Sequence, residues 1–119
     1  MARDAPTIDA FGGGGFRLAG QRYEGSVLII GDAAQAWPVT RLSDLTLADL
    51  APVMAAGVAG VEFLILGAGP QNAPPPREVR EGLRHAGMGL EVMTTPEAAR
   101  LYNLLTSEGR RLAAALIAV

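Results

Sequence analysis

The chain has 119 residues, half of them hydrophobic, which is enough for one domain with its own core. Twelve acidic residues against ten basic ones give a formal net charge of −2, so the basic excess typical of nucleic-acid binding is absent and no nucleic-acid partner is expected. The sequence has neither cysteine nor lysine, which excludes disulfides, thiolate nucleophiles, iron–sulfur ligation, a Schiff-base lysine and a P-loop.

Residues 1–15 form the first segment and end in four consecutive glycines. We expect a flexible lead-in, because the segment that follows does not have the helix-forming pattern that a phosphate-binding glycine loop needs. Residues 16–23 instead alternate apolar and polar side chains around Ala19-Gly20, which predicts a β-hairpin.

Four apolar runs further along the chain predict strands, at residues 27–30, 61–66, 90–93 and 111–119. A short extended piece is predicted at residues 37–39. Helices are predicted after Thr46, after the prolines at 74–76, and after Thr95, which we expect to be an N-cap because Pro96 follows it. Pro52 should kink the first helix or shift its start.

The strand–helix–strand order predicts right-handed crossovers and a largely parallel sheet covered by helices. The link between the last helix and the last strand is too short to decide that strand's direction. We expect a single domain over residues 16–119. No apolar stretch is long enough to cross a membrane and no targeting pattern is present, so a cytoplasmic location without a transmembrane segment is expected.

Familiar catalytic groups are scarce. His85 is the only histidine, and we expect it in the last turn of the second helix, where the helix dipole favours a cation. No Gly-x-Ser-x-Gly elbow surrounds any serine. We therefore predict no catalytic residue, no metal site and no cofactor.

A binding site, if the fold has one, is expected beyond the carboxyl ends of the strands. Two loops qualify, one with Gly67 and Gly69 and one with Thr94 and Thr95, which leads into a helix N-terminus able to hold an anion. Arg100, about one turn further on, could add a guanidinium. The structural alternative is that the glycines only turn the chain and the threonine only caps the helix. Asn72 stands where a dinucleotide fingerprint would need glycine.

Residues 93–105 and 108–119 resemble a family of small, single-domain proteins of unknown biochemical function. The family includes the mitochondrial respiratory complex I assembly factor three. Matching residues continue toward the N-terminus at 16–17, 23–26, 37–38 and 67–69. The resemblance implies a single three-layer α/β domain with a mixed, mostly parallel central sheet flanked by helices and with an N-terminal β-hairpin.

The resemblance adds Tyr102 and Asn103 to the candidate residues, with packing and helix–loop hydrogen bonding as their alternative role. The chain departs from the family pattern at four positions, which argues against thiol or carboxylate chemistry: Ala68, Thr94, Ala99 and Leu101. The function that the resemblance implies is a non-enzymatic interaction or assembly factor with protein partners. The alternatives are a small-molecule or anion binder (or weak enzyme) that uses the strand-end loops, and a homo-oligomer.

Overall fold

The computed structural model describes residues 5–119, which fold into eight strands and three α-helices. The strands are β1 (Ile8–Gly12), β2 (Gly15–Leu18), β3 (Gln21–Glu24), β4 (Ser26–Ile30), β5 (Ala33–Trp37), β6 (Phe63–Gly67), β7 (Gly89–Met93) and β8 (Leu112–Leu116). The helices are α1 (Ala51–Gly60), α2 (Arg77–His85) and α3 (Thr95–Ser107).

Strands β4 to β8 form a five-stranded mixed sheet in the order β5-β4-β8-β6-β7. Strand β6 is parallel to both of its neighbours, β7 and β8, whereas β4 is antiparallel to both β5 and β8. The mixed sheet that the resemblance implies is confirmed. The last strand lies in the middle of it, parallel to β6 and antiparallel to β4.

The central sheet separates two apolar cores, which confirms the three-layer α/β fold. On one face, Leu64, Leu66 and Ala115 pack with Val53 of α1 and Val79 of α2. On the other face, side chains of β4, β6 and β8 pack with α3 and with a second sheet of three antiparallel strands in the order β1-β2-β3. The lone helix and the small sheet together form the third layer.

The expected flexible lead-in is wrong for residues 8–15. Residues 8–12 form β1, which pairs with β2, and the glycines that follow turn the chain between the two strands. Gly12, the last residue of β1, and the following Gly13 and Gly14 have positive φ angles, so they serve as turn residues. The part of the expected lead-in at residues 1–4 lies outside the described residues.

The hairpin predicted around Ala19-Gly20 is confirmed as β2–β3, and both turn residues have positive φ. A second hairpin, β4–β5, was not expected, and Trp37, the first residue of the short extended piece expected at residues 37–39, is the last residue of β5. The two-residue turn of this hairpin places Gly31 at a φ of 59°, and β5 ends at Trp37. The ring N–H of Trp37 donates to the carbonyl of Asp49 at 2.8 Å, which ties β5 to the chain before α1.

The first helix starts later than Thr46, as Pro52 predicts. Residues 47–50 form a 3₁₀ turn, and both the backbone N–H and the hydroxyl of Thr46 donate to the carboxylate of Asp49, at 2.9 and 3.0 Å. Helix α1 follows with Pro52 in its first turn, where a missing N–H costs nothing. Gly57, at a φ of 68°, interrupts the helix near its end.

Candidate functional site

The two loops that the sequence singles out meet at one edge of the central sheet. Because β6, β7 and β8 run parallel, their carboxyl ends lie together. The backbone N–H of Ala68 donates to the carbonyl of Met93 at 2.8 Å, and that of Ile117 donates to the carbonyl of Gly67 at 3.0 Å. The Gly67 and Thr94 loops therefore lie side by side at this edge of the sheet.

The side chain of Thr95 joins these strand ends from within. Its hydroxyl accepts a hydrogen bond from the backbone N–H of Gly69 at 2.9 Å and donates to the carbonyl of Ile117 at 2.7 Å. Its own backbone N–H donates to the carbonyl of Gly69 at 2.8 Å. Thr95 is fully buried, so its hydroxyl is committed to backbone groups.

The N-cap of α3 is Thr94, and the expectation that Thr95 is the cap is wrong by one residue. The hydroxyl of Thr94 accepts from the N–H of Glu97 at 3.4 Å and donates to the Glu97 carboxylate at 2.8 Å. The N–H of Thr94 donates to the same carboxylate at 3.2 Å. A negative charge thus already lies at the positive end of the helix dipole, and an incoming anion would have to displace it.

Gly67 is required by the close approach of these elements, and Gly69 by its backbone conformation. A Cβ atom on Gly67 would lie 2.8 Å from the hydroxyl oxygen of Thr95 and 3.0 Å from Cδ2 of Leu116. Gly69 has a φ of 100°, a conformation that other residues rarely adopt. Both glycines therefore have a structural reason to occupy these positions.

Tyr102 and Asn103 form a second cluster, which holds the N-terminal strand. The Asn103 carboxamide accepts from the N–H of Ile8 and donates to the carbonyl of Ile8, both at 2.9 Å. The Tyr102 hydroxyl donates to the carbonyl of Pro6 at 2.9 Å, and burial raises the pKa of the phenol well above its usual value. Both side chains thus make hydrogen bonds from the helix to the backbone of another segment, which is the structural role given above as their alternative.

Arg100 joins neither cluster. It lies on the exposed side of α3, as does Leu104, whereas Tyr102 faces the core. Within residues 5–119, no ion pair involves Arg100. The structure therefore does not bring the seven candidate residues into one pocket.

The strand-end cluster is well suited to hold backbone segments together. Every buried side-chain nitrogen or oxygen in the described part of the chain has a hydrogen-bond partner. Three or more histidine, cysteine, aspartate or glutamate side chains do not come together anywhere in residues 5–119. His85 ends α2, as expected, and is exposed.

Sequence reasoning missed the backbone partners of the second cluster and the role of Ser26. The Ser26 hydroxyl accepts from the N–H of Ala118 at 2.9 Å, next to the bond from the N–H of Gly14 to the carbonyl of Val119. The available signal was Ile8, an apolar residue between Thr7 and Asp9. None of the described helices is both long enough and apolar enough to cross a membrane.

Comparison with known proteins identifies relatives over nearly the whole chain. The model of a family described as "Protein of unknown function (DUF498/DUF598)" matches residues 8–117. An uncharacterized protein of Rhodobacter capsulatus is 39% identical over 110 residues, which are 92% of this chain and 82% of that protein. NADH dehydrogenase (ubiquinone) 1 alpha subcomplex assembly factor 3 of Danio rerio is 34% identical over 103 residues, which are 87% of this chain.

The fold is shared with solved structures as well. The crystal structure of an outer membrane protein from Bartonella henselae superposes with a TM-score of 0.91 at 32% identity and covers 97% of this chain and 96% of that one.

The match with the Danio rerio assembly factor covers 59% of that protein, so the similarity concerns part of its length. The family resemblance found in the motifs is confirmed: this chain belongs to the family of proteins of unknown function whose model matches residues 8–117.

Proposed function

We propose that this chain is a non-enzymatic protein that binds other proteins and assists the assembly of a respiratory complex. The observation that carries the proposal is its 34% identity, over 87% of the chain, to an NADH dehydrogenase assembly factor. The proposal includes a cytoplasmic location, with which the absence of cysteine is compatible.

The structural roles of the motif residues support this proposal. Of the seven candidate binding residues, Gly67, Gly69, Thr95 and Tyr102 are buried and Asn103 is bonded to the backbone of β1. These residues stabilise the fold, so we assign contact with a partner to the exposed surface around them. Arg100 is exposed, and Leu104 on the same side of α3 keeps 56% of its surface in solvent. Arginine is enriched in protein interfaces, so we assign Arg100 to partner binding.

Affinity purification from the native organism tests the proposal. The full chain, carrying a small tag, is recovered under mild conditions and the co-purifying proteins are identified by mass spectrometry. We expect subunits or assembly intermediates of a respiratory complex, and cell fractionation should place the chain in the cytoplasm. Recovery of no protein above the background of a tag-only control would contradict the proposal.

A pair of charge reversals sharpens this experiment. Arg100→Glu changes the exposed side of α3, whereas Arg80→Glu changes an exposed arginine on α2, on the other face of the central sheet. Both variants should fold, because surface substitutions usually change stability by no more than about 0.5 kcal/mol. We expect Arg100→Glu to reduce partner recovery and Arg80→Glu to leave it unchanged. Equal recovery with both would remove Arg100 from the proposed contact.

A further inference from the structure

The outer edge of β7 has backbone groups available for pairing. Strand β7 is the last in the sheet order and pairs only with β6 within residues 5–119. The N–H of Gly89 and the carbonyl of Met93 are bonded to the β6 side. Because bonding alternates along a parallel strand, the N–H and C=O groups of Leu90 and Val92 point away from β6, toward the free edge.

A hollow of about 350 Å³ borders this edge on the α3 side of the sheet. Its lining is apolar at Phe63, Leu101 and Leu105, and charged at Glu91 and Arg110. The Arg110 guanidinium lies 5.4 Å from the centre of the Phe63 ring and forms one wall.

Gly89, at the start of β7, is paired in register with Phe63, which lines this hollow. A Cβ atom at this position would come within 2.9 Å of Cβ of Phe63, and a larger side chain would extend over the same face of the sheet. The edge strand therefore leaves the Phe63 side of the hollow uncovered.

A second hollow, of about 300 Å³, borders the same strand and is lined by Val92 and by residues 72–74. Val92 packs toward the core beneath α1 and α2, whereas Glu91 is paired in register with Ile65, which belongs to the α3 core. Neighbouring residues of β7 thus border one hollow on each face of the sheet.

We propose that the β7 edge binds an extended peptide segment of a partner protein as a sixth strand of the central sheet. The backbone of the segment pairs with Leu90 and Val92, and its successive side chains enter the two hollows in turn. Strand addition of this kind takes its affinity from main-chain hydrogen bonds and its specificity from pockets for alternate side chains. The inference rests on the proposed protein-binding function and specifies where one partner contact lies.

The residues that line the hollow on the α3 side indicate which side chains the bound peptide segment carries. An apolar side chain fits between Phe63, Leu101 and Leu105. Glu91 is exposed and makes no ion pair in the described part of the chain, so a lysine or arginine of the segment is its complement across the strand pair. The segment is therefore an extended one that carries an apolar and a basic side chain on the same face.

The experiment uses a phage-displayed library of random linear peptides, selected on the full chain. Enriched peptides should share an apolar and a basic residue at a spacing of two, the period of one strand face. On binding, amide hydrogen exchange should slow at Leu90 and Val92. Glu91→Arg should weaken binding by up to about fivefold, the range of a cross-strand charge pair.

Two proline variants provide the matched comparison. Val92→Pro removes an outward N–H from β7, and Ala36→Pro removes one from β5, the opposite edge of the same sheet. Peptide binding should be lost only with Val92→Pro. If Val92→Pro does not fold, the exchange pattern of the unmodified chain and the effect of Glu91→Arg decide the question.

Three results would overturn the inference: no peptide is enriched, binding survives Val92→Pro, or protection appears elsewhere than on β7. These failures are distinct from failure of the proposed function. A native partner that still co-purifies with the Glu91→Arg and Val92→Pro variants would retain the protein-binding function and reject the β7 edge. Recovery of no native partner would reject the function itself, whatever the peptides do.

Discussion

The carboxamide of Asn103 bonds both backbone polar groups of Ile8: it accepts from the Ile8 N–H and donates to the Ile8 carbonyl, at 2.9 Å in each case. A single side chain of α3 thereby satisfies both polar groups of a residue 95 positions away in the sequence. Together with the pairing of β1 and β2, these two bonds hold the first strand against the helix.

Replacing Asn103 with alanine should destabilise the fold by about 2 kcal/mol, because the N–H and C=O of the buried Ile8 lose their partners. Urea unfolding measures this change, and amide exchange at Ile8 should become faster. Ser107→Ala is the control, since its hydroxyl is exposed and bonds only within the helix. Equal stability of the two variants would show that the Asn103 bonds contribute nothing.

Replacing Thr95 with valine should cost about 3 kcal/mol, although the shape of the side chain is nearly kept. The substitution leaves the N–H of Gly69 and the carbonyl of Ile117 without the partner that the hydroxyl provides. Thr94→Val removes only the helix cap and should cost about 1 kcal/mol. Denaturant unfolding of both variants ranks them, and a larger loss at Thr94 would contradict this assignment of roles.

Replacing Gly67 with alanine should destabilise the fold by about 1–3 kcal/mol, because the added methyl group meets the Thr95 hydroxyl and the Leu116 side chain. Gly60→Ala provides the comparison. Its Cβ would lie 3.6 Å from Cβ of Ala56, an ordinary contact, so its stability should be close to that of the unmodified chain. Thermal unfolding followed by circular dichroism distinguishes the two substitutions.

Tyr102 should make stability fall at alkaline pH. Burial raises the pKa of its phenol in the folded state above the usual value of 10.0. Below that value both states keep the proton, so the contribution is fully present. As the pH rises above it, only the unfolded state releases the proton, and stability falls by up to about 1.4 kcal/mol per pH unit.

Urea unfolding between neutral and alkaline pH measures this slope. Tyr102→Phe should flatten it, because the variant has no phenol at this position. In an absorbance titration, the Tyr102 phenol should ionise at a higher pH in the folded protein than in the protein unfolded in urea. Ionisation of Tyr102 at the same pH in both states, or an unchanged slope in Tyr102→Phe, would show that the phenol is not protected.

Much of the central fold follows from local patterns. The buried strands β4, β6 and β8 are recognisable as apolar runs, and the three helices follow capping residues and prolines. Strand β5 is not recognisable in this way, because Ala33, Ala34 and Ala36 have low strand propensity and its pairing with β4 supplies the structure. Strand β1 is not recognisable either, because it depends on two partners outside its own sequence. Asn103 is 95 residues away, and β2 is reached through a glycine turn.

The sequence places both candidate loops at the carboxyl ends of the strands, but it does not show what each residue does there. Strand order and direction bring Gly67 and Thr94 together, which the βαβ pattern predicts. Whether a threonine hydroxyl faces solvent or backbone depends on one residue of helix register, and the cap at Thr94 turns Thr95 inward. Tyr102 and Asn103 belong to the recognisable motif, but their roles depend on hydrogen bonds to Pro6 and Ile8, which the motif does not show.

Helix α3 holds both clusters, with Thr95 in its first turn and Tyr102 and Asn103 two turns later. Loosening this one helix would release the strand-end loops of the large sheet and the first strand of the small sheet at the same time. The two sheets should therefore open as one cooperative unit, with similar free energies of opening at Ile8 and at Ile117 in native-state amide exchange.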